Sequence, residues 1–164
     1  MSFFQAIPFF LILINISCTA FQNKPQAFVK DQKLKIPFTP QDWTQVITKH
    51  SSDYAWSHQT RGDVIVVNSF CGEFQDLSLK NLALNAFTTY NDFKPLGERT
   101  LQWQKREAYE LEAEAVLDGI KVLLYLRNTR RNHCYYDFLL ITPRERNPSS
   151  LQDFLQLLER VSFS

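Results

Sequence analysis

At 164 residues, 45% hydrophobic and 14% aromatic, the chain is too apolar for a disordered protein and long enough for one folded domain. A formal net charge of +1 supplies no global field to draw nucleic acid, so no nucleic-acid partner is expected. The four glycines, Gly62, Gly72, Gly97 and Gly119, contain no GxGxxG, which argues against a glycine-rich phosphate cradle.

Residues 1–17, MSFFQAIPFFLILINIS, are expected to be a signal peptide. Nearly every side chain from position 7 to 14 is large and apolar. That length suits the apolar stretch of a secretory signal and is short of the roughly 20 residues of a membrane span. Pro8 within it argues against a buried core helix. Ser17-Cys18 resembles the end of a bacterial lipobox, in which a small residue precedes a cysteine whose thiol is acylated before cleavage. The resemblance implies that Cys18 becomes the lipidated, palmitate-bearing first residue of the mature protein. Asn15 stands where a lipobox usually has leucine, and no Lys or Arg precedes the apolar stretch. The alternative is cleavage after Ala20, since Cys18-Thr19-Ala20 satisfies the small-x-small rule; it would give a soluble secreted or periplasmic protein.

Residues 18–35 are polar, carry Pro25 and show no periodicity, so they read as a flexible tether. The remaining 36–164 form a single globular domain. Of the three cysteines, lipidation removes Cys18 and leaves Cys71 and Cys134 as an even pair. Both sit at ends of apolar runs that read as strands, and an exported compartment permits a disulfide between them. With no CxxC or HxxxH spacing near either, no metal site or cofactor is expected.

In chain order, a short strand is expected at 35–38. Thr39-Pro40 then signals a helix start, with Trp43, Val46 and Ile47 at helical spacing. Residues 54–60 read as extended. The run DVIVVNSF at 63–70 is apolar on both faces and reads as a central strand. Asp76 is a candidate cap for the next helix, whose face carries Leu79, Leu82, Ala83, Ala86, Phe87 and Tyr90 and which Asn91-Asp92 ends. Alternation then predicts strands around Leu101–Trp103, Leu111–Leu117 and Ile120–Leu126, with Asp118-Gly119 as a two-residue hairpin turn. A polar, basic turn at 128–133 leads to a strand at 134–142. Ser150 with Asp153 resembles a capping box for a last helix whose apolar face is Leu151, Phe154, Leu155, Leu158 and Val161.

The resulting order, β-α-β-β-α-β-β-β-β-α, predicts an α+β domain: a central, mainly antiparallel sheet covered by helices on both faces. The layout Trp43 to Tyr54, VIVVNSFC with DLSL, a long amphipathic helix, the DGIKVLLYL hairpin, CYYDFLLITP and a closing SLQDFLQLLERVSF resembles the PsbP-like α/β/α sandwich of small exported bacterial lipoproteins. The resemblance covers about residues 35–164 and rests on spacing, with no chemical motif. It implies a binding or assembly role, and no catalytic residue carries over from it.

No catalytic constellation stands out. His50, His58 and His133 are not at ligand spacing, and GxSxG is absent. Glu110, Glu112 and Glu114 alternate along one strand and read as a solvated face. Arg127, Arg130 and Arg131 form the densest basic cluster, beside a turn that reads as a solubilising loop tip or, functionally, as a contact for an anionic partner or membrane headgroups. The expected protein is an exported, membrane-tethered binding or assembly module of the cell envelope, without catalytic activity, facing the periplasm or the outside. Alternatives are a hydrolase whose site is assembled from scattered residues, and a small-ligand carrier.

Overall fold

A computed structural model describes residues 29–37, 41–47, 52–72, 77–88, 90–143 and 148–163. The signal peptide, Cys18, Pro25, His50 and Asp76 lie outside the described residues. Among those described, the elements are β1 (Leu34–Lys35), β2 (Trp43–Gln45), β3 (Tyr54–His58), β4 (Val64–Cys71), α1 (Leu79–Ala86), β5 (Asn91–Trp103), β6 (Arg106–Leu117), β7 (Ile120–Arg131), β8 (Cys134–Pro143), α2 (Pro148–Arg160) and β9 (Ser162–Phe163).

Seven strands make one antiparallel sheet in the order β2-β3-β4-β8-β7-β6-β5, and β1 pairs with β9 in a separate two-stranded ribbon. The connection from β4 through α1 carries the chain to the far edge, and three tight hairpins bring it back to β8 beside β4. Each hairpin turns on two residues of positive φ: Gln104 and Lys105 (49° and 63°), Asp118 and Gly119 (50° and 82°), Asn132 and His133 (50° and 60°). Turns of this hand match the right-handed twist of the strands they join. Asp118-Gly119 announces itself in the sequence; Gln104-Lys105 does not, because neither residue favours that conformation.

Strand alternation splits the core between the two faces of the sheet. On one face α2 packs Phe154, Leu157 and Leu158 against Trp56, Ile65, Val67, Phe138 and Leu140. On the other, α1 packs Leu79, Ala83 and Phe87 against Leu111, Ala113, Leu124 and Leu126. One helix of 8 residues and one of 13 cover a sheet with strands of up to 13 residues, so the domain is more sheet-dominated than a sandwich with full helical layers. Among the described residues no helix is long and apolar enough to cross a membrane. Cys71 and Cys134 are register partners across β4 and β8, and their sulfurs are joined in a disulfide.

Several elements differ from the sequence reading. Trp43 begins a strand, because it pairs with His58 at the sheet edge; three apolar residues over five positions are too few to distinguish the two periods, and pairing decides. Trp43 is buried there while Ile47 is 93% exposed, so the two do not share a packed helical face. Residues 29–35, expected to belong to a flexible tether, pack on the domain: Val29 bridges Cys71, Asp31 accepts from Tyr136 Oη at 2.6 Å, and Leu34 is buried in the core. Ser78 caps α1, its Oγ accepting from Asn81 N at 3.2 Å. The helix ends at Ala86, and Asn91 opens a long edge strand rather than a loop. Ser150 lies inside α2, where its Oγ donates to buried Asp63 instead of capping. The buried face of α2 carries Leu157, while Leu155 is 41% exposed.

Candidate binding groove

α2 lies over β8, and along its flank part of the same face of β7, β6 and β5 stays open, while Phe163 of β9 covers the end near Trp103 and Arg131. A cavity of about 390 Å³ opens there. Its floor is Glu110, Glu112, Tyr125 and Arg127, its helix wall Leu151, Phe154 and Leu155, and its outer rim Gly97 and Arg99 on β5. Alternation puts these strand residues on one face, and register sets them in two cross-strand rows: Arg99–Glu110–Arg127 and Gly97–Glu112–Tyr125. A Cβ built on Gly97 would meet nothing within 4 Å, so the rim is low and the groove opens toward the β5 edge.

The first row is a bridged ion triad. Glu110 Oε1 accepts from Arg127 Nε at 2.7 Å and from its terminal nitrogen, while Oε2 accepts from Arg99 Nε. Burial alone would raise the Glu110 pKa, but the hydrogen bonds and charges of Arg99 and Arg127 outweigh it and hold the carboxyl below the usual range. Arg127 is 8% exposed and lies over the Trp103 ring at 5.4 Å. In the second row Tyr125 Oη donates to Glu112 Oε1 at 3.3 Å. The glutamates are therefore half-buried parts of a groove floor, not a plain solvated face. The sequence carried this only as alternation; which charges meet is set by strand register, with the partners 17 and 11 residues from Glu110.

The three arginines expected to cluster at a turn all belong to β7, and the turn itself is Asn132-His133. Alternation puts Arg130 on the opposite face from Arg127 and Arg131. Arg127 is in the groove. Arg130 faces α1 and donates through Nη2 to Leu77 O at 2.8 Å. Arg131 lies over the Phe163 ring at 5.0 Å.

The histidine–acid–hydroxyl combination nearest to a hydrolytic set is structural. Ser150 Oγ donates directly to Asp63 Oδ2 at 2.5 Å, with no histidine between them, and both residues are 1% exposed. His58 Nδ1 accepts the backbone N–H groups of Thr60 and Arg61, each at 3.2 Å. No three His, Cys, Asp or Glu side chains converge to hold a metal ion among the described residues.

No protein-family model and no curated protein matches the chain. Solved structures do match. LpqN of Mycobacterium tuberculosis, described as involved in cell envelope biogenesis, aligns with TM-score 0.60 at 9% identity, over 80% of this chain and 83% of that one. CyanoP, the cyanobacterial PsbP of Synechocystis sp. PCC 6803, aligns with TM-score 0.57 at 13% identity, over 83% and 91%. PA94 of Pseudomonas aeruginosa, a protein of unknown function, aligns with TM-score 0.53 at 14% identity, over 83% and 86%. At these identities the likeness concerns the fold, which is PsbP-like.

Proposed function

We propose that this protein is an exported binding or assembly module of the cell envelope, and that the groove beside α2 receives a segment of a protein partner. The observation that carries the reading is the open groove itself. Its apolar wall of Leu151 and Leu155 faces a floor of ordered tyrosine and arginine, and such aromatic and arginine anchors dominate protein interfaces. The floor charges are already held by one another, so a partner need not bring a counter-charge for Glu110 or Arg127. The involvement of LpqN, a protein of the same fold, in cell envelope biogenesis supports the compartment.

Gly97 offers a clean test, since a large side chain there fills the groove without backbone strain. A photo-crosslinking residue at position 155 in intact cells should capture one envelope protein, and Gly97→Trp should abolish the capture. Capture that persists unchanged in Gly97→Trp, or no capture at all, would overturn the groove as the binding surface. The cavity volume lies within the range of small-ligand pockets, which keeps a carrier as the second reading. It would show as a small molecule co-purifying with the wild type and absent from Gly97→Trp.

Export and anchoring belong to the same proposal. Cys18 would carry the acyl chains, and Cys18→Ser should move the protein from the membrane to the soluble fraction, since each buried CH₂ contributes roughly 0.8 kcal/mol. An intact mass beginning at Phe21 without acyl groups would refute lipidation.

A further inference from the structure

On the α1 face, three oxygens in one cross-strand row have no hydrogen-bond partner: Asn68 Oδ1, Asp137 Oδ1 and Asn128 Oδ1. Asp137 on β8 is the register partner of Asn68 on β4 and of Asn128 on β7, so the acid is flanked on both sides. Asn128 is 0% and Asp137 8% exposed. The orientation of the Asn128 carboxamide is fixed, because its Nδ2 donates to Leu79 O at 2.9 Å and to Tyr135 Oη at 2.7 Å. The Tyr135 hydroxyl in turn hydrogen-bonds the Asp137 carboxyl. A chain of contacts thus runs from Asp137 through Tyr135 and Asn128 to the first residue of α1. Within the row acceptors stand beside acceptors, while the fourth buried side-chain atom without a partner, the donor Arg130 Nε, lies two residues along β7 from Asn128; leaving such groups unpaired is costly.

We propose that Asp137 carries a proton which it shares with the Asn128 carboxamide oxygen, and that this proton latches α1 onto the sheet. As the acid, Asp137 donates its O–H to a neighbouring carboxamide and still accepts from Tyr135. Loss of the proton to solvent leaves a carboxylate among acceptor oxygens, and opening the α1 interface to water is the relief. Among the described residues, few charged or titratable groups surround it. Lys30, over the Phe70 ring at 4.6 Å and 3.7 Å from Asp53, favours the carboxylate from the sheet end. Arg130 on β7 is engaged with Leu77 O through Nη2. Lys80 of α1 pairs with Glu98. Burial, only partly offset by Tyr135 and Lys30, raises the Asp137 pKa to about 7.

Because the closed-state value lies above that of a solvated carboxyl, the latch is tightest in acid. It weakens as pH rises from about 4 toward 7 and changes no further above that. The test is hydrogen exchange of the α1 amides in the full mature chain between pH 4.5 and 8, corrected for intrinsic exchange, together with a carboxyl ¹³C titration of Asp137. Wild-type α1 protection should fall by up to about tenfold per pH unit and then level off. In Asp137→Asn, a neutral side chain that supplies a donor, it should be flat. A carboxyl midpoint in the ordinary aspartate range, or a pH dependence that survives in Asp137→Asn, would overturn the latch. So would α1 protection that tracks sodium or potassium at constant ionic strength, since a bound cation would then occupy the site. If Asp137→Asn does not fold, the wild-type ¹³C midpoint decides alone.

Discussion

Among the described residues two aspartates are buried, one under each helix, and they are solved differently. Asp63, under α2, is 1% exposed and receives Arg61 Nε at 2.7 Å, Thr142 Oγ1 at 2.7 Å and Ser150 Oγ at 2.5 Å. Arg61 also reaches Ser149 Oγ at 2.7 Å and Asp153 Oδ2 at 2.6 Å, so the carboxylate ties the end of β3 to two turns of α2. Asp137, under α1, accepts from one tyrosine and is flanked by the fixed Asn128 carboxamide oxygen, which has no proton to offer. A buried carboxylate is tolerated when donors converge on it, and a buried acid without them favours its neutral form. The α2 side is therefore a fixed joint, while the α1 side depends on a proton.

The largest effect expected on this comparison is at the fixed joint. Asp63→Ala should cost about 3–5 kcal/mol in urea unfolding at pH 7, because it leaves the Thr142 and Ser150 hydroxyls without their buried acceptor and removes one of the two carboxylates that hold Arg61. A cost under about 1 kcal/mol would show that the cluster does not hold α2, since that is the value of an exposed pair. On the α1 side the grip is apolar. Phe87 is 1% exposed and packs on Phe93 and Tyr90 with ring centroids 5.4 Å away in each case. Phe87→Ala should cost about 3 kcal/mol, the lower end for a buried Phe, because it sits at the helix C-cap, where the site can partly collapse. An unchanged melting temperature would remove Phe87 from the core.

Per pH unit the titration effect is smaller, and it is the most discriminating. Asp137 has a folded-state pKa raised above its unfolded value, so its contribution is fully present below about pH 4 and is lost as pH rises toward 7. Glu110 is held below its unfolded value, so its contribution is present above the usual carboxylate range and is lost as pH falls. Relative to wild type, Asp137→Asn should remove a loss of up to about 1.4 kcal/mol per pH unit between pH 4 and 7. Glu110→Gln should remove a slope of opposite sign at lower pH. Denaturant titrations at several pH values read both, and like-signed changes in the two variants would contradict the contrast.

Much of the fold was legible in the sequence. The apolar run at 63–70, the alternation from 111 to 126 and Asp118-Gly119 have periods and turn chemistry that only a sheet satisfies, and the strands they predict are present. The face of α1 was legible from Leu79, Ala83 and Phe87 for the same reason. What failed was short or non-local. Trp43 became a strand because an edge was there to pair with. Gln104-Lys105 turned because β5 and β6 had to meet.

The side-chain constellations were less legible than the elements. Local sequence fixes which face of a strand a residue takes, and so fixed that Arg127 and Arg130 part company. It does not fix which strand lies alongside. That Glu110 meets Arg99 and Arg127, that Cys71 meets Cys134, and that Asp137 falls between two asparagines follow from register across strands distant in the chain. The sequence by itself determined periodicity and the apolar faces, because those depend on near neighbours. Only the tertiary structure decided the groove and the two buried acids, because hydrogen-bond satisfaction and desolvation depend on what a side chain meets across the sheet.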